Sequence, residues 1–312
     1  MKWLPATGRI RIGVSACLLG RAVRYDGGHK KDAFVAGPLA RLVDLVAVCP
    51  EVEVGMGTPR EPVRLVRLGG EVRMMGRRSR TDHTAGMRRW ARARARALEK
   101  EDLCGFLLKS DSPSCGAERV KVYAGGRAAR NGRGLFAEAL MERMPLLPVA
   151  EERRLGDPRL RKSFVERAFA YRRLKSLLAS RWTAGDLIRF HSAERLLLLA
   201  HDPAACRALG RLVEGARGRP RREVALGYGR GFMRALEKPA TPGKHVDVLQ
   251  RMAGSLGDLL PAEERKELEQ AIVDFRRGRV PLAVPLALLR RQARRHRVAW
   301  LEGQTYLNVP SP

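Results

Sequence analysis

The chain has 312 residues, of which 45% are hydrophobic and 30% charged, a balance typical of globular domains and unlike that of disordered or fibrous chains. Its apolar runs are far shorter than the roughly 20 residues of a membrane helix, and residues 1–14 lack the apolar segment of a signal peptide, so we expect a cytoplasmic protein without membrane contact. The formal charge is +28, from 61 Lys and Arg against 33 Asp and Glu, which favours a polyanionic partner such as nucleic acid.

The positive charge is spread along the whole chain. Residues 1–150 carry 28 Lys and Arg against 15 Asp and Glu, and residues 151–312 carry 33 against 18. A basic tail on a neutral body is therefore excluded. Because arginine outnumbers lysine 50 to 11, composition typical of a GC-rich genome is the competing explanation of the charge.

The first 150 residues alternate short apolar runs with amphipathic stretches, the pattern of an α/β domain. The apolar runs predict strands over 10–16, 42–48, 104–109, 120–124 and 146–149. Two shorter runs, 63–67 and 72–75, predict a hairpin around Gly69 and Gly70. Helices are predicted over 84–100 and 132–144.

Beyond residue 151 the apolar residues recur at helical spacing. The pattern predicts helices over 161–181, 187–200, 204–214, 222–236, 246–254, 261–277 and 282–295. We therefore expect an α/β N-terminal domain with a mostly parallel sheet, followed by an all-α C-terminal domain. The predicted limits are 1–150 for the first domain, 151–184 for a helical connector and 185–312 for the second domain.

Three cysteines each follow the end of a predicted strand: Cys17, Cys49 and Cys115. The C-terminal ends of parallel strands share one edge of the sheet, so these thiols are expected to meet there. Three thiolates form a soft metal site with one position left open. Cys104 begins its strand and is expected at the opposite edge, and Cys206 lies on a predicted helix, so both are predicted as structural residues.

Turn-rich segments surround these three cysteines. They read Val14-Ser15-Ala16-Cys17-Leu18-Leu19-Gly20, Cys49-Pro50-Glu51 with Gly57-Thr58-Pro59-Arg60, and Lys109-Ser110-Asp111-Ser112-Pro113-Ser114-Cys115-Gly116. Together they resemble, over roughly residues 9–150, the thiouracil desulfidase family once called DUF523. The resemblance implies that the three cysteines hold a [4Fe–4S] cluster whose fourth iron has no protein ligand. A three-cysteine zinc site completed by water or His29 is the alternative.

Residues beside the cysteines are the candidates for proton transfer and substrate binding. Glu51 lies two residues from Cys49 and is predicted as the carboxylate that moves protons. Ser112 is predicted as catalytic and Ser114 as an orienting, substrate-binding group, although both also fit turn or helix-capping positions. A helix cap or an ion pair with an arginine is the alternative role of Glu51. Four further residues are predicted to line the substrate pocket: Arg24, Tyr25, Asp26 and Arg60.

The second half has its own resemblance, over about residues 185–308, to the helical family DUF1722. The matching motifs are Phe190-His191, Leu199-Ala200-His201, Lys244-His245-Val246 and Gln304-Thr305-Tyr306-Leu307. Arg195 and Asp247 stand where that family often carries lysine and asparagine. No metal-binding spacing connects His191, His201 and His245, which are predicted as structural residues or phosphate contacts.

A chain with both halves resembles two-domain desulfidases thought to act on 4-thiouridine in tRNA, with the helical domain helping to hold the RNA. We therefore predict a monomeric, cluster-dependent desulfidase that converts 4-thiouridine in tRNA to uridine and sulfide. Arg88, Arg92 and Arg96 share a predicted helical face and form a candidate phosphate track or a solvated surface. The alternatives are a desulfidase of free 4-thiouracil, a non-catalytic RNA-binding or repair-associated iron–sulfur protein, and a zinc hydrolase.

Overall fold

The structure is a computed structural model that describes residues 9–308. The chain divides into two compact units between Arg172 and Arg173. The outer limits of the predicted domains, residues 1 and 312, lie outside the described part of the chain. Each unit has its own core and is described by itself.

Two four-stranded sheets build the first unit. The strands are β1 (Arg11–Ser15), β2 (Asp44–Val48), β3 (Val63–Leu68), β4 (Glu71–Gly76), β5 (Leu103–Leu108), β6 (Val120–Ala124), β7 (Arg127–Gly132) and β8 (Val149–Glu151). The helices are α1 (Ala40–Leu42), α2 (Pro50–Glu53), α3 (Thr84–Glu99), α4 (Leu135–Arg143) and α5 (Pro158–Ala179), of which α5 crosses the division between the units.

The first sheet has the order β2-β1-β5-β8, and all its neighbouring strands are parallel. All six residues of β5 are buried, which is typical of a parallel strand covered on both faces. Leu107 packs in one core with Phe164 of α5. Phe106 packs in the other core against Phe136 of α4, with ring centroids 5.6 Å apart. The predicted α/β domain with a parallel sheet is confirmed.

The second sheet has the order β4-β3-β6-β7. Its β3–β4 hairpin turns at Gly69 and Gly70, whose φ values of 56° and 84° favour glycine, as predicted. The sequence analysis missed β7, because its residues RAARNG are polar and five of the six are exposed. Strand β7 exists because it pairs antiparallel with β6 across the turn at Gly125 and Gly126.

The second unit is helical, as predicted. Its further helices are α6 (Ala184–His201), α7 (Pro203–Glu214), α8 (Arg221–Glu237), α9 (Pro242–Leu256), α10 (Ala262–Arg276), α11 (Ala283–Arg295) and α12 (Ala299–Glu302). A capping box between Thr183 and Asp186 starts α6, and the side chain of Asp202 caps α7. None of the helices in the described residues combines the length and apolar character that a membrane crossing requires.

The predicted connector, 151–184, contributes to a core. It contains a short 3-10 helix, Glu152–Gly156, and most of its remaining length is α5. Leu155, Phe164 and Ala168 are buried in the same core as β1 residues such as Val14. The first part of this segment therefore belongs to the α/β unit.

Candidate active site

The C-terminal ends of β1, β2 and β5 open into one cavity of about 380 Å³. Cys17 lies in the 3-10 turn after β1, Cys49 directly follows β2, and Cys115 lies in the loop after β5. All three thiols line the cavity. Cys104 is instead buried near the start of β5. Parallel strand order thus brings together cysteines that are far apart in the sequence.

The environment of the three thiols disfavours a negative charge in the absence of a bound cation. Burial raises the pKa of Cys17 to about 11, an effect that Lys109 opposes and Cys49 reinforces. Burial also raises the pKa of Cys49, and it raises that of Cys115 well above the ordinary value. Such thiols become stable thiolates when a metal centre replaces their protons.

This donor set fits an iron–sulfur cluster. Thiolates are the usual ligands of such clusters, and each cysteine of a cubane cluster binds a different iron, so the sulfur atoms need not meet at one point. Within residues 9–308 no group of three or more His, Cys, Asp or Glu side chains is arranged to hold a single metal ion. Cys17, Cys49 and Cys115 are the residues that would hold the cluster.

Glu51 lies beside the thiols, on the cavity wall at the start of α2. Its Oε1 accepts a hydrogen bond of 2.5 Å from the hydroxyl of Ser114, and its Oε2 forms an ion pair with Arg60. The glutamate side chain is 18% exposed. Both carboxylate oxygens are therefore fixed, and the remaining lone pairs are available to a ligand in the cavity.

Arg60 connects Glu51 with two neighbouring loops. Its Nη1 donates to the carbonyl of Val23 at 3.1 Å and to that of Gly57 at 2.8 Å. The arginine side chain is only 6% exposed. Although Arg60 lines the cavity, as the sequence analysis predicted for a pocket residue, its hydrogen bonds are made to protein groups.

The two serines predicted for the site occupy different places. Ser112 lines the cavity, and its hydroxyl oxygen accepts hydrogen bonds from the backbone N–H groups of Ser114, at 3.2 Å, and Cys115, at 3.1 Å. Ser114 is fully buried and is not part of the cavity wall, since it lies behind Glu51. The prediction of Ser114 as a group that touches substrate therefore does not match its placement.

Glycines allow the serine loop to pack closely against the start of α4. A Cβ atom on Gly134 would lie 2.4 Å from the carbonyl carbon and oxygen of Ser114. The backbone N–H of Gly134 donates to the carbonyl of Gly116 at 2.8 Å, and that of Phe136 donates to Ser114 at 3.0 Å. These contacts fix the loop that carries Ser114 and Cys115.

Of the remaining predicted pocket residues, Arg24 and Tyr25 line the cavity, with the Arg24 guanidinium carbon 5.2 Å from the centre of the tyrosine ring. Asp26 does not line it, which corrects the sequence prediction. Its Oδ1 accepts a 3.0 Å hydrogen bond from the N–H of Gly28, which lowers the pKa of Asp26. Short polar side chains make this contact in turns, and the pattern Asp26-Gly27-Gly28 is typical of one.

A second polar network at the cavity was missed by the sequence analysis. Lys109 lines the cavity, and its Nζ lies 2.6 Å from Oε1 of Glu152. The other oxygen of Glu152 accepts the backbone N–H of Ser110 at 2.7 Å. Burial alone would raise the pKa of Glu152, but the hydrogen bonds from Lys109 and Ser110 outweigh it and lower that pKa. The one indication of this pair in the sequence is the position of Lys109 at the end of a predicted strand, at the same edge of the sheet as the cysteines.

Comparison with known proteins places this site in a family. A profile of the 2-thiouracil desulfurase family matches residues 12–152, and one of DUF1722, a family of unknown function, matches residues 195–310. The uncharacterized protein YbbK of Bacillus subtilis (strain 168) is 32% identical over 155 residues, 47% of this chain and 98% of YbbK. The chain belongs to the 2-thiouracil desulfurase family. This membership confirms the predicted class of enzyme, a desulfidase.

Two further similarities accompany this family assignment. The uncharacterized protein YbgA of Escherichia coli (strain K12) is 31% identical over 144 residues, which are 46% of this chain and 85% of YbgA. Among solved structures, a [4Fe–4S]-dependent thiouracil desulfidase, TudS, is 32% identical and covers 50% of this chain and 99% of its own, with a TM-score of 0.39.

Proposed function

We propose that this member of the desulfurase family removes sulfur from 4-thiouridine in tRNA, using a [4Fe–4S] cluster held by Cys17, Cys49 and Cys115. The observation that carries the proposal is the cavity in which these three thiols and Glu51 meet. In the net reaction one water molecule supplies the oxygen of the new C4 carbonyl. Its two protons leave with the sulfur as hydrogen sulfide, so no oxidant or reductant is consumed.

The cluster and the protein groups have separate tasks. When bound, a [4Fe–4S] cluster with three thiolate ligands supplies one iron without a protein ligand, a Lewis acid suited to a soft thiocarbonyl sulfur. Glu51 is the base that accepts a proton from the attacking water. Ser114 and Arg60 hold the two oxygens of Glu51 in place, so that the carboxylate meets the water in one orientation.

We assign Ser112 the donation of a proton to a group in the cavity, because it is one of the lining residues. Its oxygen accepts two backbone N–H groups, and these two hydrogen bonds leave its own O–H proton unused. We assign it the transfer of a proton to the leaving sulfur or to the pyrimidine edge. Arg24 and Tyr25, on the same cavity wall, offer a cation and a ring for contact with the nucleotide.

Exposed arginines support RNA as the carrier of the substrate. Arg89, Arg92 and Arg96 lie along one side of α3, are exposed, and form no ion pair within residues 9–308. The predicted face contained Arg88 in place of Arg89, but the Arg88 side chain is half-buried and donates to the carbonyl of Val72 at 3.2 Å. Three exposed guanidinium groups on one helix face, without counter-charges among the described residues, favour contact with the phosphates of a nucleic acid.

The test is an anaerobic turnover assay with three substrates: tRNA containing 4-thiouridine, the free nucleoside 4-thiouridine, and 4-thiouracil. Released sulfide and remaining thiouridine are measured for the cluster-loaded protein. We expect the highest kcat/KM with tRNA. We also expect Glu51→Gln to lower kcat by about 100-fold or more, the usual contribution of a general base.

Each alternative has its own outcome in this assay. Turnover of 4-thiouracil alone would assign the enzyme to the free base. The protein could instead bind the thiolated RNA and leave all of its thiouridine in place, with RNA binding unchanged in Glu51→Gln. That result would indicate a non-catalytic iron–sulfur protein and contradict the proposal.

A further inference from the structure

A second cavity lies entirely within the helical unit, between α6 and α7, and has a volume of about 530 Å³. We call it the α6–α7 cleft; the lining residues that matter for its chemistry are His191, Arg195, Arg207, Gly210, Arg211 and Glu214. It is separate from the cysteine cavity, because it shares none of its lining residues.

The α6–α7 cleft carries an excess of positive charge. Arg195, Arg207 and Arg211 are exposed, and in the described part of the chain none of them forms an ion pair. Glu214 is the one acidic residue of the lining. Three unneutralised guanidinium groups around one cavity favour an anionic ligand, because each guanidinium presents several N–H donors to oxygen acceptors.

His191 adds a directed hydrogen-bond donor to the cleft. Its Nδ1 lies 3.2 Å from the hydroxyl of Tyr228. Burial raises the pKa of Tyr228 well above its ordinary value, so the phenol stays protonated. Because Tyr228 is fully buried and Nδ1 is the hydrogen-bond partner of its hydroxyl in the described residues, we assign the phenol O–H as the donor and Nδ1 as the acceptor. Burial also lowers the pKa of His191, which favours the neutral ring. The ring proton is then on Nε2, where it is available to an acceptor.

Gly210 leaves this donor uncovered. A Cβ atom at position 210 would lie 3.6 Å from Nε2 of His191, in van der Waals contact. Any longer side chain there would occupy the space in front of Nε2. The cleft therefore has both a charged rim and an open, oriented donor at its wall, which a general positive surface does not provide.

We infer that the α6–α7 cleft binds a phosphodiester group of RNA, with the three arginines and the Nε2–H of His191 as donors. RNA is preferred over a free anion because the cleft is part of a basic unit: residues 173–308 carry 26 Lys and Arg against 14 Asp and Glu. Additional phosphates of a polymer therefore meet further positive charge. The inference rests on the proposed function, in that it names the contact by which RNA carrying the thiouridine is held.

The first test measures binding of an unmodified, fluorescently labelled tRNA transcript to the full chain by anisotropy at several salt concentrations. The triple variant Arg195→Gln/Arg207→Gln/Arg211→Gln should bind about tenfold or more weakly, with a salt slope lower by about one or more. The control removes the same charge elsewhere in the unit: Arg251→Gln/Arg276→Gln/Arg277→Gln, three exposed arginines outside the cleft. Equal losses in the two triple variants would overturn the inference.

The second test separates a shaped site from a charged surface. Gly210→Leu fills the space in front of His191 without changing any charge, so we expect RNA affinity to fall several-fold without a fall in the melting temperature. Gly254→Leu is the control, since it adds the same side chain to a helix where nothing lies within 4 Å of the new Cβ. Unchanged affinity in Gly210→Leu would contradict the assignment.

Turnover of thio-substrates by the wild type, measured beside RNA binding by the cleft variants, distinguishes failure of this inference from failure of the proposed function. If the cleft variants bind RNA normally while the wild type desulfurates tRNA, the inference is wrong and the proposed function stands. If the variants lose RNA binding but no thio-substrate is ever turned over, the cleft is supported and the proposed function is wrong. Micromolar binding of uridine monophosphate, with RNA affinity unaffected by the variants, would assign the cleft to a small anion and overturn the RNA assignment.

Discussion

The two oxygens of Glu51 have different partners, and this asymmetry gives the carboxylate one orientation at the cavity. Ser114 donates to Oε1 and Arg60 pairs with Oε2. Neither partner needs to touch the substrate to affect the rate. In the proposed mechanism Ser114 is therefore a positioning residue, whereas Ser112 is one of the residues that line the cavity.

Removal of the Ser114 hydroxyl should slow turnover through Glu51. In Ser114→Ala, Oε1 loses its hydrogen bond and the carboxylate gains rotational freedom, so we expect kcat to fall about tenfold with KM and iron content unchanged. Steady-state kinetics with iron quantitation measures this. In a Glu51→Gln background the same substitution should have little further effect, and an additive loss would contradict the positioning role.

A methyl group at position 134 should disturb the cysteine loop. Gly134 has φ −67° and ψ 142°, values open to any residue, so the effect of Gly134→Ala comes from the 2.4 Å approach to Ser114. We expect the variant to bind less iron and to unfold at a lower temperature. Gly86→Ala, in α3 with nothing within 4 Å, is the control and should stabilise the protein by about 0.5 kcal/mol. Normal iron content in Gly134→Ala would show that the loop tolerates displacement.

The sequence analysis identified those candidate site residues that can be recognised from their immediate neighbours in the sequence. Cys17, Cys49 and Cys115 follow strand ends, and Glu51 lies two residues after one of them. The contacts of Ser114 with Glu51 and of Lys109 with Glu152 join residues 63 and 43 positions apart. No periodicity or spacing encodes such pairs, because they depend on how the loops pack.

The helices and strands that could be predicted from the sequence are those with a regular pattern of hydrophobic residues. Buried strands such as β5 and the amphipathic helices were predicted to within a few residues. Strand β7 was missed because its exposed side chains have no apolar pattern, and its existence depends on pairing with β6. The separate second sheet was not predicted for the same reason, since pairing between strands cannot be read from either strand alone.

A buried ion pair joins the end of α5 to α6 and offers a test of packing in the helical unit. Nη2 of Arg173 lies 2.9 Å from Oε2 of Glu194, which also accepts a 2.8 Å hydrogen bond from Thr305. Both charged side chains are buried. Arg173→Met leaves a carboxylate in the core without its counter-charge, so we expect a loss of about 3–5 kcal/mol in the free energy of unfolding.

The double variant Arg173→Met/Glu194→Met completes this test by denaturant unfolding. Removal of both charges should restore much of the lost stability, because no unpaired charge remains in the core. If the single variant unfolds at the same denaturant concentration as the wild type, the pair has no role in holding α5 against α6.

At the scale of the whole molecule, the charge of +28 predicts that turnover of a polymeric, anionic substrate and turnover of a free base depend differently on salt concentration. Contacts with several phosphates release counterions, so kcat/KM for thiolated tRNA should fall steeply between about 50 and 200 mM salt. Turnover of neutral 4-thiouracil should change little over the same range. Parallel salt dependence for both substrates would indicate that the charge has no part in substrate binding.

The most direct test of the central claim is iron and sulfide quantitation on anaerobically purified protein. We predict about four irons per chain in the wild type and in Cys104→Ala, and loss of this iron in Cys17→Ala, Cys49→Ala and Cys115→Ala. Bound zinc in place of iron, or iron that survives all three substitutions, would contradict a cluster held by these thiols.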